Sequence, residues 1–151
     1  MSETNTETNQ SRILIVDDDP NTLEILRRWL NREGYATVSA DNGSACLEQL
    51  AKQPVDVIVL DVMMPGMDGL QVCERLRDNV AWRTIPVMLL TAKDDIETRS
   101  RGMLLGVSEY LTKPVNKLEL FARLRAQLHS RELERRMDAT AATVASLAAK
   151  K

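Results

Sequence analysis

Five polar side chains that could handle a phosphoryl group stand at or just beyond the ends of short apolar segments: Asp17 and Asp18, Asp61, Thr91 and Lys113. Carboxylates can bind a hard divalent cation or carry a phosphoryl group. An ammonium group can neutralise a phosphoryl oxygen, and a hydroxyl can donate a hydrogen bond to another. These residue types therefore indicate phosphoryl chemistry, provided that the fold brings them to one place.

The apolar segments themselves indicate how that could happen. They are residues 13–16, 57–60, 87–90 and 110–112. Short unbroken apolar runs are typical of strands that are buried on both faces of a parallel sheet. In an open α/β sheet the ligand site lies outside the carboxyl ends of the strands. We therefore expect the five polar side chains to meet at one edge of a sheet.

Strand and helix patterns alternate along the rest of the chain. Strands are predicted at 12–16, 35–40, 55–60, 85–90 and 109–112, and helices at about 20–33, 43–52, 70–78, 94–105 and from 116 onward. Strict alternation implies a parallel sheet with right-handed crossovers and helices on both faces. Five units are too few for an eight-fold barrel. The predicted fold is a flavodoxin-like doubly wound sheet with strand order 2-1-3-4-5 and an extended C-terminal helix.

The predicted site carries an electrostatic conflict. Asp17 and Asp18 would face Asp61 across the crevice between the first and third strands, and three ionised carboxylates would repel each other. A bound Mg²⁺ would remove the conflict, because Mg²⁺ takes one or two carboxylates together with phosphate oxygens. Lys113 would add a positive charge, and Thr91 a hydroxyl donor. The sequence therefore predicts a magnesium-dependent site that holds a phosphoryl group on or beside a carboxylate.

Four separated motifs of this chain resemble the receiver domain of two-component response regulators: residues 13–19, 61–69, 91–92 and 110–114. The resemblance covers about residues 12–129. It implies a phosphoacceptor signalling domain that takes its phosphoryl group from a sensor histidine kinase or a phosphotransfer protein. It also implies a domain that catalyses only its own phosphorylation and dephosphorylation and is not otherwise an enzyme.

The resemblance also implies a role for each site residue, as follows: phosphoacceptor Asp61; Mg²⁺ ligands Asp17, Asp18, Asp61 and the backbone carbonyl of Met63; phosphate-binding and switch residues Thr91, Ala92, Lys113 and Tyr110. The family's Lys-Pro peptide is typically cis, so we expect a cis bond at Lys113-Pro114. Asp19 is expected to be a turn residue or helix cap.

One alternative uses many of the same parts. Phosphatases of the haloacid dehalogenase type carry an aspartate nucleophile after the first strand, here Asp17, and Asp19 has that family's two-residue spacing. That scheme requires further acidic metal ligands beyond the lysine, on another strand end. The acids beyond Lys113 lie in helical sequence, and the motif at Asp61 would have no role.

Composition and the chain ends complete the predictions. A net charge of −2 gives no electrostatic case for nucleic acid or an anionic membrane. No apolar stretch approaches the roughly 20 residues of a membrane span, so we expect a cytoplasmic chain. Cys46 and Cys73 are expected to be buried and reduced. Residues 1–11 are predicted to be a disordered lead, 12–129 the receiver domain, and 130–151 a helical tail or a linker to a missing output domain.

The last helix carries two apolar stripes. The first is expected to pack on the sheet: Leu118, Phe121, Leu124 and Leu128. The second continues at four- and three-residue steps: Leu133, Met137, Thr140, Val144 and Leu147. Two heptads are short of what a coiled coil needs, and a solvated helix is equally compatible with the pattern. A homodimer through the fourth helix, the fifth strand, the last helix and this tail is a hypothesis.

Overall fold

The structure is a computed structural model that describes residues 10–92 and 95–149. Strands and helices alternate throughout these residues. The strands are β1 Arg12–Val16, β2 Ala36–Ala40, β3 Val57–Asp61, β4 Val87–Thr91 and β5 Glu109–Thr112. The helices are α1 Pro20–Arg32, α2 Gly43–Lys52, α3 Gly69–Arg77, α4 Ile96–Leu104 and α5 Lys117–Ala149.

The five strands form one parallel sheet in the order β2-β1-β3-β4-β5. This confirms the predicted flavodoxin-like topology. Every residue of β3 and β4 is buried, as the apolar runs indicated. Because all strands are parallel, their carboxyl ends share one edge, where Asp61 pairs in register with Leu90 and Thr91 with Thr112.

A hydrophobic core covers each face of the sheet. Helices α2 and α3 pack on one face, and α1 and α5 pack on the other. Cys46 and Cys73 are free, buried members of the first core, as predicted. Burial raises the pKa of both thiols to about 12.

Polar caps fix the starts of the helices close to the sheet's carboxyl edge. Asp19 caps α1: its carboxylate accepts hydrogen bonds from the Asn21 amide at 3.0 Å and the Thr22 hydroxyl at 3.1 Å. Pro20 occupies the first turn, as predicted. Asp95 caps α4, which therefore begins at Ile96 rather than at the predicted position 94. Residues 93 and 94 lie outside the described part of the chain.

Helix α5 corrects one prediction. Leu118 is 77 % exposed and does not pack on the sheet, whereas Leu120 is fully buried with Phe121 and Leu124. The predicted stripe started one turn too early because Leu118 lies on the solvent side of the first turn. The helix is continuous to Ala149, and Leu128 packs against the core only partly.

Two arginines attach the middle of α5 to the amino-terminal edge of the sheet. The Arg131 guanidinium donates to the Thr84 carbonyl at 3.1 Å, and Arg135 lies 3.1 Å from the Asp56 carboxylate. At the other end of the described chain, the Ser11 carbonyl accepts the Ala36 amide at 2.9 Å, directly before β1 begins at Arg12. Residues 1–9 lie outside the described part.

Candidate functional site

Two of the predicted acids are buried at the carboxyl edge of the sheet. Asp17 directly follows β1 and is fully buried, and its amide donates to the Ala40 carbonyl of β2 at 3.2 Å. Asp61 is the last residue of β3 and is 2 % exposed. Asp18 is exposed next to them. The neighbouring strands β1 and β3 thus bring together the three acids that the sequence predicted to meet.

These three acids fit a hard divalent cation. One carboxylate oxygen from each of Asp17, Asp18 and Asp61 lies within 4.8 Å of the others. In residues 10–92 and 95–149 this is the one such acidic group. All donors are oxygens, and two of the carboxylates are desolvated, so a cation there would offset a charge repulsion that the fold itself creates.

Lys113 bridges the two buried acids. Its ammonium nitrogen lies 2.9 Å from Asp17 Oδ2 and 3.1 Å from Asp61 Oδ1. The Lys113 amide donates to the Thr91 carbonyl at 2.8 Å, which ties the end of β5 to the end of β4. The Lys113–Pro114 peptide is cis.

The charges at the site do not balance. Burial and the neighbouring charge of Asp17 raise the pKa of Asp61, although hydrogen bonding and attraction from Lys113 oppose this rise. Burial alone would lower the pKa of Lys113, but hydrogen bonds and attraction from the two acids outweigh it and raise that pKa. One ammonium group is therefore shared between two desolvated carboxylates. The two carboxylates together carry one negative charge more than Lys113 offsets, and a further cation would offset it.

The Thr91 hydroxyl is buried at the end of β4. Thr91 ends β4 and is 1 % exposed, and among the described residues its oxygen has no hydrogen-bond partner. A buried hydroxyl without a partner is costly and uncommon in proteins. Ala92 follows it and is exposed. Within residues 10–92 and 95–149 the hydroxyl has no partner, so it can donate to an oxygen that enters the site.

Tyr110 lies apart from the acids. Its hydroxyl donates to the Arg99 carbonyl of α4 at 2.6 Å, and its ring centroid is 5.9 Å from the Arg99 guanidinium carbon. The tyrosine is only partly buried in this position. It therefore connects β5 to α4 and does not contribute to the acidic cluster.

The loop after Asp61 stays close to this residue, and Gly69 at the loop's far end has a role in this that sequence reasoning missed. The Met63 amide donates to Asp61 Oδ1 at 3.4 Å, and the Met63 side chain is 70 % exposed. A Cβ atom added to Gly69 would lie 2.6 Å from the Asp61 carbonyl oxygen and 2.8 Å from Val62 Cα. Gly69 therefore permits close approach of α3 to the backbone of Asp61. The sequence indicated only a turn at this glycine.

Comparison with known proteins gives the family. The model of the response regulator receiver domain matches residues 13–125. The chain belongs to this family. It is 45% identical to the response regulator MprA of Mycobacterium ulcerans over 123 residues, which are 82% of this chain and 52% of that protein. It is 44% identical to the response regulator PleD of Caulobacter vibrioides over 116 residues, 77% of this chain and 26% of PleD.

A solved receiver-domain structure is similar to this chain in both sequence and fold. The signal receiver domain of a signal transduction histidine kinase from Syntrophus aciditrophicus matches with a TM-score of 0.74 at 35% identity, covering 80% of this chain and 91% of that one. The chain spans about half the length of MprA and about a quarter of PleD. It is thus similar to the receiver part of longer regulators.

Membership in this family leaves the phosphatase alternative without support. Asp19, which that scheme would use together with Asp17, caps α1 and is exposed. The later acids Glu119, Glu132, Glu134 and Asp138 all lie on α5, as their helical sequence indicated. In the described ranges, no helix combines the length and the apolar character that a membrane span needs.

Proposed function

We propose that Asp61 is the phosphoacceptor of this receiver domain and takes its phosphoryl group from a phosphohistidine or from a small donor such as acetyl phosphate. The observation that carries the proposal is the placement of Asp61. Its carboxylate is buried at the end of β3, 3.1 Å from the Lys113 ammonium group and within reach of Asp17 and Asp18. A nucleophile, a fixed positive charge and a set of metal donors thus lie at one point.

The surrounding residues then have distinct tasks. An Asp61 carboxylate oxygen attacks phosphorus, the bond from phosphorus to the donor nitrogen or oxygen breaks, and an acyl phosphate forms. Lys113 pairs with a phosphoryl oxygen in place of the Asp61 charge that is lost. The unpaired hydroxyl of Thr91 donates to another. Ala92, which follows Thr91, is small and exposed and would not block access to it.

Asp17, Asp18 and Asp61 would hold Mg²⁺ together with the backbone carbonyl of Met63. When bound, Mg²⁺ would neutralise the acids and the incoming phosphoryl oxygens. The chain supplies the oxygen donors and the buried negative charge that such an ion requires. We also propose that the domain catalyses only its own phosphorylation and dephosphorylation.

A phosphotransfer partner would dock beside the site on α1. A groove of about 590 Å³ runs between α1 and the segment after β5, and it includes Ile25, Trp29, Lys113 and Val115. Ile25 is 48% exposed on this surface. The groove is mostly apolar and leads to Lys113. A sensor histidine kinase or phosphotransfer protein seated there would place its histidine near Asp61.

Phosphorylation would change the surface formed by α4, β5 and the first turns of α5. It adds about two negative charges at the sheet edge. When Thr91 turns toward the new oxygens, it vacates space beside β5 into which Tyr110 can move from its position on α4. The altered surface already carries exposed apolar side chains, among them Met103, Leu104 and Leu118. We propose that this surface and the exposed tail of α5 form a homodimer interface after phosphorylation.

The experiment that tests the phosphoacceptor is chemical labelling. Asp61→Asn should abolish incorporation of phosphate from acetyl phosphate in the presence of Mg²⁺, and Asp18→Ala should reduce it to background through loss of the metal. Asp41→Asn is the matched control, because Asp41 follows the edge strand β2 and is not a member of the acidic cluster. Labelling of Asp61→Asn at the wild-type level, on an acid-stable site, would show that the assignment is wrong.

A further inference from the structure

Helix α4 is attached to the sheet through a glycine. In α4, Gly102 is the buried residue, and the side chains that face it are Tyr110 of β5 and Leu89 of β4. Large apolar residues of α4 are instead directed to solvent: Ile96, Met103 and Leu104, which are 74%, 70% and 85% exposed. How closely α4 approaches the sheet therefore depends on the side chains that pack against residue 102.

The Tyr110 ring occupies the space that a side chain at residue 102 would need. A Cβ atom added to Gly102 would lie 2.6 Å from the Tyr110 hydroxyl oxygen and 3.3 Å from its Cε1 atom. The first distance is far shorter than van der Waals contact. Glycine in a helix interior lowers the folding constant about fivefold relative to alanine. Room for the tyrosine is a physical reason for this costly residue.

Arg99 holds the tyrosine and its strand from the same helix. Its backbone carbonyl accepts the Tyr110 hydroxyl at 2.6 Å, and its guanidinium donates to the Thr112 hydroxyl at 2.8 Å. Tyr110 and Thr112 are two residues apart on β5 and so lie on the same face of the strand. The Tyr110 hydroxyl can reach the Arg99 carbonyl only because it passes over Gly102, which lies three residues further along the helix.

We propose that Gly102 is a positioning residue that sets where Tyr110 rests. The absent side chain lets the phenol lie on α4 and bond to the Arg99 carbonyl, which holds the chain in its unphosphorylated arrangement. A methyl group at 102 displaces the ring from α4 and favours the arrangement that phosphorylation would otherwise induce. The inference rests on the proposed function insofar as Tyr110 is the switch residue, but the position of the ring can be measured without any phosphoryl donor.

The ring position can be followed by NMR. The chain has two tyrosines, so Tyr35→Phe leaves Tyr110 as the one tyrosine signal under ¹³C labelling of the ring. In this background Gly102→Ala should shift the Tyr110 resonances without a ligand, toward their positions in the beryllofluoride complex of the parent. Ser100→Ala is the control, since Ser100 is exposed on the same helix. Unchanged Tyr110 resonances in Gly102→Ala would overturn the proposal.

A double-mutant cycle gives a second, independent readout. With Tyr110→Ala in place, both contacts with the phenol are removed, and the remaining neighbour, Leu89 Cδ1 at 3.2 Å, has to shift by only a few tenths of an ångström. In that background Gly102→Ala should raise the folding constant, by up to about fivefold through helix propensity. With Tyr110 present, the same substitution should leave the folding constant unchanged or lower it. If Gly102→Ala folds only when Tyr110 is replaced, the proposal is supported. An equal effect in both backgrounds, or failure to fold in both, would contradict it.

The outcome is separable from that of the proposed function. Labelling of Asp61 by acetyl phosphate tests the phosphoacceptor and does not depend on residue 102. If Asp61 is labelled but the Tyr110 ring does not respond to Gly102→Ala, only the role of Gly102 is wrong. If the ring responds but Asp61 is not labelled, the contact between α4 and β5 stands and the phosphoacceptor assignment is wrong.

Discussion

Asp61 is held in a state that the fold penalises. Its carboxylate is buried beside the buried carboxylate of Asp17, and a single ammonium group, that of Lys113, lies between them. The raised pKa of Asp61 shows that its charge is costly in the folded chain. A carboxylate in this position gains from any event that removes or neutralises its charge. Cation binding is one such event. Phosphorylation removes the charge of the carboxylate but adds about two phosphoryl charges, which the cation and Lys113 would offset.

Asp61→Asn should therefore stabilise the domain at neutral pH in the absence of divalent cations. Because the folded pKa is raised, the contribution of Asp61 to folding is fully present below the unfolded pKa of about 3.9 and is lost as pH rises through the folded value. The neutral amide escapes this loss. We expect Asp61→Asn to have the larger free energy of unfolding at pH 7, and this gain should disappear toward pH 3.

Urea unfolding of both chains at several pH values measures this difference. Mg²⁺ should reduce the difference in unfolding free energy between the two chains, because the ion binds the folded wild type and stabilises it by mass action. Asp41→Asn, outside the acidic cluster, controls for a general effect of removing one charge. A destabilised Asp61→Asn chain at pH 7 would mean that the pairing with Lys113 outweighs the cost of burial.

The side chains that meet at the site could be predicted from the sequence, but their pairings could not. Four strand ends and a topology suffice to place Asp17, Asp61 and Lys113 together. Which oxygen Lys113 contacts depends on side-chain torsions and on the turn after β5. The close approach of Gly69 to Asp61 and the seat of Tyr110 on Gly102 are steric facts between distant segments, and no local pattern reports them.

Among the elements, α3 has the most direct influence on Asp61. Its N-terminus is fixed by a capping box, in which the Asp68 carboxylate accepts the Gln71 amide and the Gln71 side chain accepts the Asp68 amide, both at 2.9 Å. The next residue is Gly69, whose amide donates to the Val62 carbonyl at 2.9 Å. The cap therefore anchors the far end of the loop that carries Met63.

Asp68→Ala should lower the free energy of unfolding by about 1 kcal/mol, the usual cost of losing an N-cap. It should also slow labelling of Asp61, because a loose loop no longer fixes the Met63 backbone beside the acid. Asp68→Ser is the matched variant, since serine retains a capping oxygen, and it should restore most of both properties. Denaturant unfolding and the initial labelling rate are the two measurements. Normal labelling in a destabilised Asp68→Ala chain would separate the cap from the site.

The observed ends of the helices and strands show which sequence patterns determine them locally. Predicted and observed helix starts agree at Pro20 and Gly43, whereas α4 begins at Ile96, after its Asp95 cap and two residues later than predicted. Strand β3 begins at Val57, two residues later than predicted, because the Arg12 amide binds the Asp56 carboxylate at 2.8 Å and Asp56 thus precedes the regular ladder. Leu118 faces solvent although its spacing suits the core. Periodicity gives the stripe of a helix but does not determine where its contact with the sheet begins.

At the scale of the whole molecule, the acidic cluster and the tail of α5 lie at opposite edges of the sheet. The acidic cluster lies at the carboxyl edge, and the tail of α5 leaves from the opposite, amino-terminal edge, where Arg131 and Arg135 attach it. From Leu133 onward, the predicted apolar stripe is exposed: Leu133, Met137, Val144 and Leu147 are 43%, 69%, 60% and 58% accessible. An anchored helix with an uncovered apolar stripe presents that stripe in a defined direction.

We predict that beryllofluoride with Mg²⁺ strengthens self-association of the full chain at least tenfold, as measured by sedimentation velocity over a concentration series. A tenfold change corresponds to about 1.4 kcal/mol, and burying two CH₂ groups supplies about that much. Met137→Glu combined with Val144→Glu should abolish the effect, because the charges would lie in the shared stripe. Ala142→Glu places a charge on the opposite side of the helix and should leave it intact. The same shift in a chain truncated after Ser130 would exclude the tail and confine the interface to α4, β5 and the first turns of α5.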